Sequence, residues 1–343
     1  MPEEEKKDDV KSTHKVEVFK IEHIEPCPNS DKLDLVKVWG YQALVRREDF
    51  KVGDLGAYIV PDSNVDATRP EFSFLLNPKH PDKTLIRIRV KKLRGVVSQG
   101  LLIKAPEGAK EGDNIAELLG VTRWEPKIPL TMGPRSGVPG PATILAPKYD
   151  VEDWHRYNTV LVPGEEVVET EKVHGVSSRF VFDSEKLHVG SHNFWCAEDP
   201  ANLWWKATIL YPAIVEFCKA HPNIVLYGEL YGFLALKYGV KSGEFKLVVF
   251  DLYDGVKGQF LDNDEAHKLT EGYALDWVRV LYRGPYDEAQ AKALSNGPST
   301  MPGADHIREG VVLKPPKERW DKKLGRVQLK IVSDDYLENV KDQ

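Results

Sequence analysis

A chain of 343 residues, 41% apolar and 29% charged, is long enough for about two domains with real hydrophobic cores. Lys and Arg number 47 against 53 for Asp and Glu, a formal net charge of −6, which excludes capture of nucleic acid by whole-molecule attraction and leaves only local patches. No uncharged apolar run approaches the ~18 residues needed to cross a bilayer, and the opening MPEEEKKDDV is charged where a signal peptide needs an apolar core. The expectation is a protein without a membrane span, intracellular, in the cytoplasm or nucleus. Cys27, Cys196 and Cys218 agree: widely spaced and odd in number, they form neither a disulfide framework nor a CxxC metal pair and read as small core residues.

Residues 1–13 alternate charge blocks without apolar periodicity and read as a disordered tail. From His14 the pattern is short strand-like runs broken by turn signals (HKVEVFKIEHI, DLVKVWG, YQALVRR, KVGDLGAYIVP, KTLIRIRVKKL, SQGLLIK), which predicts a small β-barrel or sandwich over residues 14–130. The Gly- and Pro-rich stretch 131–147 reads as a linker. Residues 148–343 mix strands and helices: NTVLVP, SSRFVFD, IVLYGELYG, EFKLVVFDLYDG, EGVVLK and RVQLKIV are strand-like. Asp199 and Pro200 predict a helix start, with Leu203, Ala207, Leu210, Ile214 and Cys218 on one face and a kink at Pro212. Two further helices are expected within Asp264 to Tyr273 and Asp287 to Leu294. The fold class is therefore mixed α+β.

Lys83 to Arg94 holds six basic residues and no acidic one. Strand alternation sends Ile86, Ile88 and Val90 to one face and Arg87, Arg89 and Lys91 to the other, a stripe able to follow a phosphate backbone, with Tyr58 or Trp39 nearby as a base-stacking platform. The plainer reading is a solvated strand face. PNSDKLDLVKV, KVGDLGAYIVP and LRGVVSQGLL, in that order, resemble the OB-fold barrel of the tRNA-binding domain appended to aminoacyl-tRNA synthetases. The resemblance implies an OB-fold with affinity for RNA, although such barrels also dock proteins.

In the second half, TEKVHG places Lys172 in a turn between two strand-like runs, where a lone lysine is ordinarily a solvated surface residue. Its sequel is more specific: YGELYG with Glu229, VVFDLYDG with Phe250 and Asp251, EGVVLK with Glu309 and Lys314, and VQLK with Lys330. Together these resemble the ordered motifs of the covalent nucleotidyltransferases. The KxHG form, with Glu171 before the lysine and an OB domain at the amino terminus, is most similar to ATP-dependent RNA ligases of the Deinococcus and Naegleria type. Thirteen residues follow Lys330, too few for the carboxy-terminal OB domain of DNA ligases and mRNA capping enzymes, which disfavours both.

The resemblance implies a nucleotidyltransferase (ATP-grasp-like) domain of antiparallel sheets and helices. It implies an ATP-dependent ligase that seals 3′-OH/5′-phosphate breaks, nicks in duplexes foremost, with Lys172 as nucleophile and Mg²⁺ or Mn²⁺ as cofactor. An amine attacks only when deprotonated, and its reference pKa of ~10.4 calls for a cation nearby. Glu309, Asp251 and Glu229 are the oxygen donors for the metal. The resemblance alternatively gives Glu229 the ribose hydroxyls, Phe250 the adenine face, Glu171 the adenine edge, and Lys330 the α-phosphate; Gly175 belongs to the same nucleotide-binding set. For Phe250 plain core packing competes. Lys314 stands five residues after Glu309 and would face away from it in an unbroken strand.

Two departures stand out. The last motif is often KxK, and here its first position is Gln328, so Arg326 or Lys314 is left to supply the charge. Where an arginine usually follows a serine after the nucleophile, this chain has His192, which would make nucleotide or RNA 3′-end binding more sensitive to pH. These departures motivate two competing readings, an RNA-binding adaptor with an inactive nucleotidyltransferase domain and a GTP-using guanylyltransferase. The expected partner is nucleic acid, RNA or an RNA-containing duplex with a break. One active site per chain leads to the expectation of a monomer.

Overall fold

The computed structural model describes residues 15–124 and 137–339, so the expected tail at 1–13 lies outside the described residues. The chain divides into two compact units, 1–125 and 126–343.

In the first unit the strand Leu55–Ile59 lies between Val16–Lys20 and Leu101–Lys104, antiparallel to both. A second sheet joins Ile24–Pro26, Leu33–Val38 and Tyr41–Arg46, and a third joins Ser63–Asp66, Leu85–Ile88 and Thr122–Arg123. Alternation explains why both faces of the central strand are covered. Ala57 and Ile59 pack into one apolar cluster with Val16, Val18 and Ile88, while Tyr58 packs into another with Phe19, Val36 and Tyr41.

The expected basic strand is interrupted. Ile86, Ile88 and Val90 do turn inward, but the first strand ends at Ile88 and Lys91–Leu93 starts a separate hairpin with Val96–Ser98. Arg87 is turned onto the protein itself: its guanidinium grips Asp62 at 2.8–2.9 Å and stacks over Trp124 at 3.2 Å. Arg89 is half-buried and Lys91 is exposed, so the continuous stripe of Arg87, Arg89 and Lys91 is not formed. Tyr58 is fully buried with its hydroxyl donated to Gln99 O, which removes it as a stacking platform; Trp39, 38% exposed, keeps that capacity.

The second unit holds a seven-stranded and a five-stranded sheet. In the larger, Gly175–Phe182 lies between Leu187–Ser191 and Ile224–Tyr231, and Lys246–Asp254 follows, all antiparallel. One face, carrying Val176, Phe180, Leu226, Leu230, Leu247 and Val249, is covered by the helices Leu203–Leu210 and Ala213–Ala220. Burying each large side chain contributes roughly 1.5–3 kcal/mol. The helix begins later than expected because Asn202 caps it, accepting from the Trp204 and Trp205 N–H groups, and at Tyr211–Pro212 it breaks in two instead of kinking. The other expected helices are Asn263–Thr270 and Glu288–Ser295.

The smaller sheet runs in the order Glu152–Asp153, Leu329–Val332, Gly310–Lys314, Glu166–Lys172, Val280–Pro285, with only its first pair parallel. NTVLVP, expected as a strand, is a series of turns that plugs Leu161 into the core beneath this sheet. The stretch read as a linker also belongs partly to the second unit: Gly137–Val138 pairs with Trp195–Cys196, and Leu145 N–H donates to Gly255 O. Among the described residues no helix is long and apolar enough to cross a membrane.

Candidate active site

The site grows from the end of one strand. Lys172 closes Glu166–Lys172, opposite Gly310, and its Nζ donates to Glu309 Oε1 at 2.6 Å. Its side chain is 26% exposed, so the ammonium reaches an open surface. Glu309 precedes the strand Gly310–Lys314 and escapes its alternation, which is why it meets Lys172 while Lys314 also projects on the Lys172 face. The register fixes this. Val168, on the Lys172 face, is opposite Lys314, and Val312 is opposite Lys330. Lys172, Lys314 and Lys330 thus share one face, correcting the expectation that Lys314 points away from the site.

Glu229 comes from the facing sheet. Burial pushes its carboxyl up to about 8; Lys172 and the Gly175 N–H oppose the rise and Glu309 adds to it. Gly175 is irreplaceable on simple sterics: a Cβ there would lie 2.3 Å from Leu230 O and 2.9 Å from Glu229 Cγ. At Phe250 the pairing slips, with Tyr227 opposite Asp251 but Gly228 opposite Val249. This bulge re-aims the half-buried Phe250, whose ring packs 4.7 Å from Tyr149.

Asp251 is not available to a metal. Fully buried, its Oδ2 accepts from Arg326 Nη2 and Tyr149 Oη, both at 2.7 Å, and from Lys314 Nζ at 3.3 Å. Burial raises its pKa, but Arg326 and Lys314 more than offset that and hold it below the ordinary carboxylate range. Lys314 is likewise buried, and its pKa is lowered by burial against the pull of Asp251. Gln328 is part of the same network: its Oε1 accepts from Arg326 Nη1 at 2.8 Å and its amide donates to Tyr149 Oη. Arg326 is further held by Glu318 at 2.6–2.8 Å. A guanidinium, that of Arg326, thus stands against position 328.

The Glu171 carboxylate faces the opposite side of the strand from Lys172, where Ser299 Oγ, Thr300 N and Thr300 Oγ1 donate to it. That side chain braces a turn, and the Glu171 N–H is donated to Arg279 O at 2.9 Å. His192 sits in the turn after Leu187–Ser191, its Nε2 3.6 Å from Asp150 Oδ1. His174, not singled out from sequence, donates its N–H to Tyr238 Oη at 2.8 Å, and its Nδ1 lies 3.1 Å from Tyr336 Oη and 3.8 Å from Glu309 Oε2. Tyr149 and Glu318 were also missed. Neither lies in a recognisable motif, and only the folded network reveals them.

Among the described residues no three His, Cys, Asp or Glu side chains stand close enough to hold a metal ion, and with Asp251 engaged by Arg326 and Lys314, Glu309 and Glu229 are the carboxylates of that set beside Lys172. Two carboxylates fit a hard divalent cation, which is held by one or two carboxylates together with substrate phosphates. Glu309 Oε2, buried and without a hydrogen-bond partner, is the orphan acceptor that such a cation would satisfy.

A lysine presented between two antiparallel sheets, with carboxylates at its ammonium and further lysines on its face, defines a nucleotidyltransferase-type enzyme. Residues 165–332 match the RNA ligase family model and residues 15–105 match an OB-fold domain model; the chain thus carries an RNA ligase domain, with an OB-fold domain at its amino-terminal side. Among solved structures, an RNA ligase of Naegleria gruberi with PPi is similar over 94% of this chain and 98% of its own, at 26% identity and a TM-score of 0.80. A lysine-to-alanine variant of that ligase with ATP and Mn matches at 24% identity, with 94% and 98% coverage and a TM-score of 0.78. A lysine-to-methionine variant with AMP and Mn matches at 23% identity, with 96% and 99% coverage and a TM-score of 0.79. No curated protein matches the chain.

Proposed function

We propose that this chain is an ATP-dependent RNA ligase that seals 3′-OH/5′-phosphate breaks, nicks in duplexes foremost, through a lysyl-AMP at Lys172. The observation that carries the reading is the Lys172 Nζ contact to Glu309 Oε1 at 2.6 Å, made on the face that also bears Lys314 and Lys330. The Naegleria ligase solved with PPi, and its variants with ATP or AMP and Mn, support the choice of nucleotide and metal.

In the first transfer Lys172 Nζ attacks the α-phosphorus of ATP; a P–N bond forms, the bond to the β-phosphate oxygen breaks, and pyrophosphate leaves. Glu309 is the proton acceptor within reach of the ammonium. A divalent cation bound at Glu309 and Glu229 would neutralise charge on the phosphates. Lys330 supplies a fixed positive charge at the α-phosphate, stabilising the transition state. Phe250, turned out by its bulge, offers a ring to the adenine. In the second transfer the 5′-phosphate oxygen takes AMP from Lys172, and in the third the 3′-hydroxyl attacks that phosphate and AMP departs. The OB-fold domain supplies the second nucleic-acid surface, and the enzyme acts as a monomer.

Sealing of a nicked duplex tests this directly. A 5′-labelled strand with an RNA 3′-OH across the nick lengthens when ATP and Mn²⁺ are present. Sealing with GTP alone, or none with any 3′-OH strand, contradicts the proposal.

A further inference from the structure

The hairpin between the last two motifs lends Arg326 and Glu318 to the network around Asp251, while the rest of it, unusual in composition, stands apart from that network. Trp320–Asp321 pairs with Gly325–Arg326, Trp320 standing opposite Arg326. Trp320 is 68% exposed, far more than an indole ordinarily is, and Lys317, Lys322 and Lys323 beside it are exposed as well.

The carboxylates nearby are largely engaged elsewhere, and only Asp321 acts on one of these lysines, Lys323, through its charge. Glu318 is occupied by Arg326, Glu165 by Arg319 at 2.7–3.0 Å, and the Asp321 carboxylate accepts the Lys323 and Leu324 N–H groups at 2.7 and 3.0 Å. Asp262, at the root of the hairpin, accepts the Glu318 N–H. None of the three lysines forms an ion pair among the described residues.

The hairpin is also rigid. Arg319 clamps its incoming arm to Glu165 and Val160 O, Leu324 packs into the apolar cluster beneath the smaller sheet, and Gly325, at φ +83, lets the chain turn under the indole, its Cβ position 3.7 Å from the ring. At the return arm Arg326 joins the hairpin to Asp251 and, through it, to Lys314. A fixed, exposed indole among exposed lysines that form no ion pair among the described residues is the arrangement that holds a nucleic-acid strand: the π-face takes a base and the ammonium groups take phosphates.

We propose that the hairpin 317–326 is a nucleic-acid contact of the ligase unit, with Trp320 stacking on a base of the bound strand and Lys317, Lys322 and Lys323 on its backbone. It rests on the ligase reading only for the choice of nucleic acid as ligand. The test uses the full chain with Trp320→Ala, Trp320→Phe and Lys322→Gln/Lys323→Gln, none of which touches the nucleotide site. Binding of a nicked RNA duplex is followed by fluorescence anisotropy at several salt concentrations, and AMP loading from ATP is followed in parallel.

The expected result is AMP loading within twofold of wild type in all three. Kd rises roughly tenfold in Trp320→Ala, is largely restored in Trp320→Phe, and loses about 1.5 of its logarithmic salt slope in the double lysine variant. Wild-type binding and salt slope in Trp320→Ala and the lysine variant would overturn the assignment, as would loss of AMP loading in Trp320→Ala, which would place the hairpin in the nucleotide site. If wild type fails to load AMP at all, the ligase reading falls while the anisotropy series still decides this proposal.

Discussion

Arg326 Nη2 sits 2.7 Å from Asp251 Oδ2, and its Nη1 sits 2.8 Å from Gln328 Oε1. With Tyr149 joining Gln328 back to Asp251, four side chains close a buried ring of hydrogen bonds. Removing Arg326 leaves the fully buried Asp251 beside a single, equally buried lysine. Arg326→Ala is expected to destabilise the second unit by about 3–5 kcal/mol. Chemical denaturation measures this, and a loss below about 1 kcal/mol contradicts the network.

The same ring predicts that restoring the more usual lysine is harmful. Gln328→Lys brings a third cation to a site where Arg326 and Lys314 already flank one carboxylate, and it removes the acceptor of Arg326 Nη1. Its melting temperature should fall by several degrees, and a further Arg326→Gln change should recover part of the loss. A single variant as stable as wild type would show that position 328 is indifferent to charge.

Two carboxyl groups give the fold a pH dependence of defined sign. Glu169 is fully buried with neither oxygen hydrogen-bonded, and burial pushes it to about 7; Glu229 is pushed to about 8. Both values are raised, so their contribution to stability is fully present below the unfolded pKa of about 4.5 and is lost as pH rises through 7 and 8. Glu169→Leu should flatten stability between pH 5 and 8 and raise the melting temperature at pH 8 by a few degrees. An unchanged slope would mean that Glu169 is ionised and paired in solution.

Glu229→Gln separates structure from chemistry. The variant should fold at least as stably as wild type at pH 8 and yet lose most of its metal-dependent AMP loading, because one of the two carboxylates facing Lys172 is gone. Full activity across a manganese titration would exclude Glu229 from the site.

Much of the site was legible because its residues lie in strands whose order and spacing are set locally. Lys172, Glu229, Glu309 and Lys330 fall in four short runs, and strand pairing brings those runs together. What was not legible depends on where alternation stops. Glu309 lies one residue before its strand, Phe250 occupies a bulge, and the basic strand breaks after Ile88, so period-two reasoning misdirects Lys314 and Arg87. Asp251 was misread because a carboxylate beside a motif looks like a metal donor until its cationic partners, 63 and 75 residues away, are seen to claim it. NTVLVP failed for a plainer reason: a short apolar run fits a core plug as well as a strand.

The central claim is that Lys172 carries AMP, and intact-protein mass spectrometry after incubation with ATP and Mn²⁺ tests it most directly, with prior adenylylation stripped by pyrophosphate. The account predicts a gain of one AMP that pyrophosphate reverses and that Lys172→Met lacks. No gain in the stripped wild-type protein, or an equal gain in Lys172→Met, would contradict it.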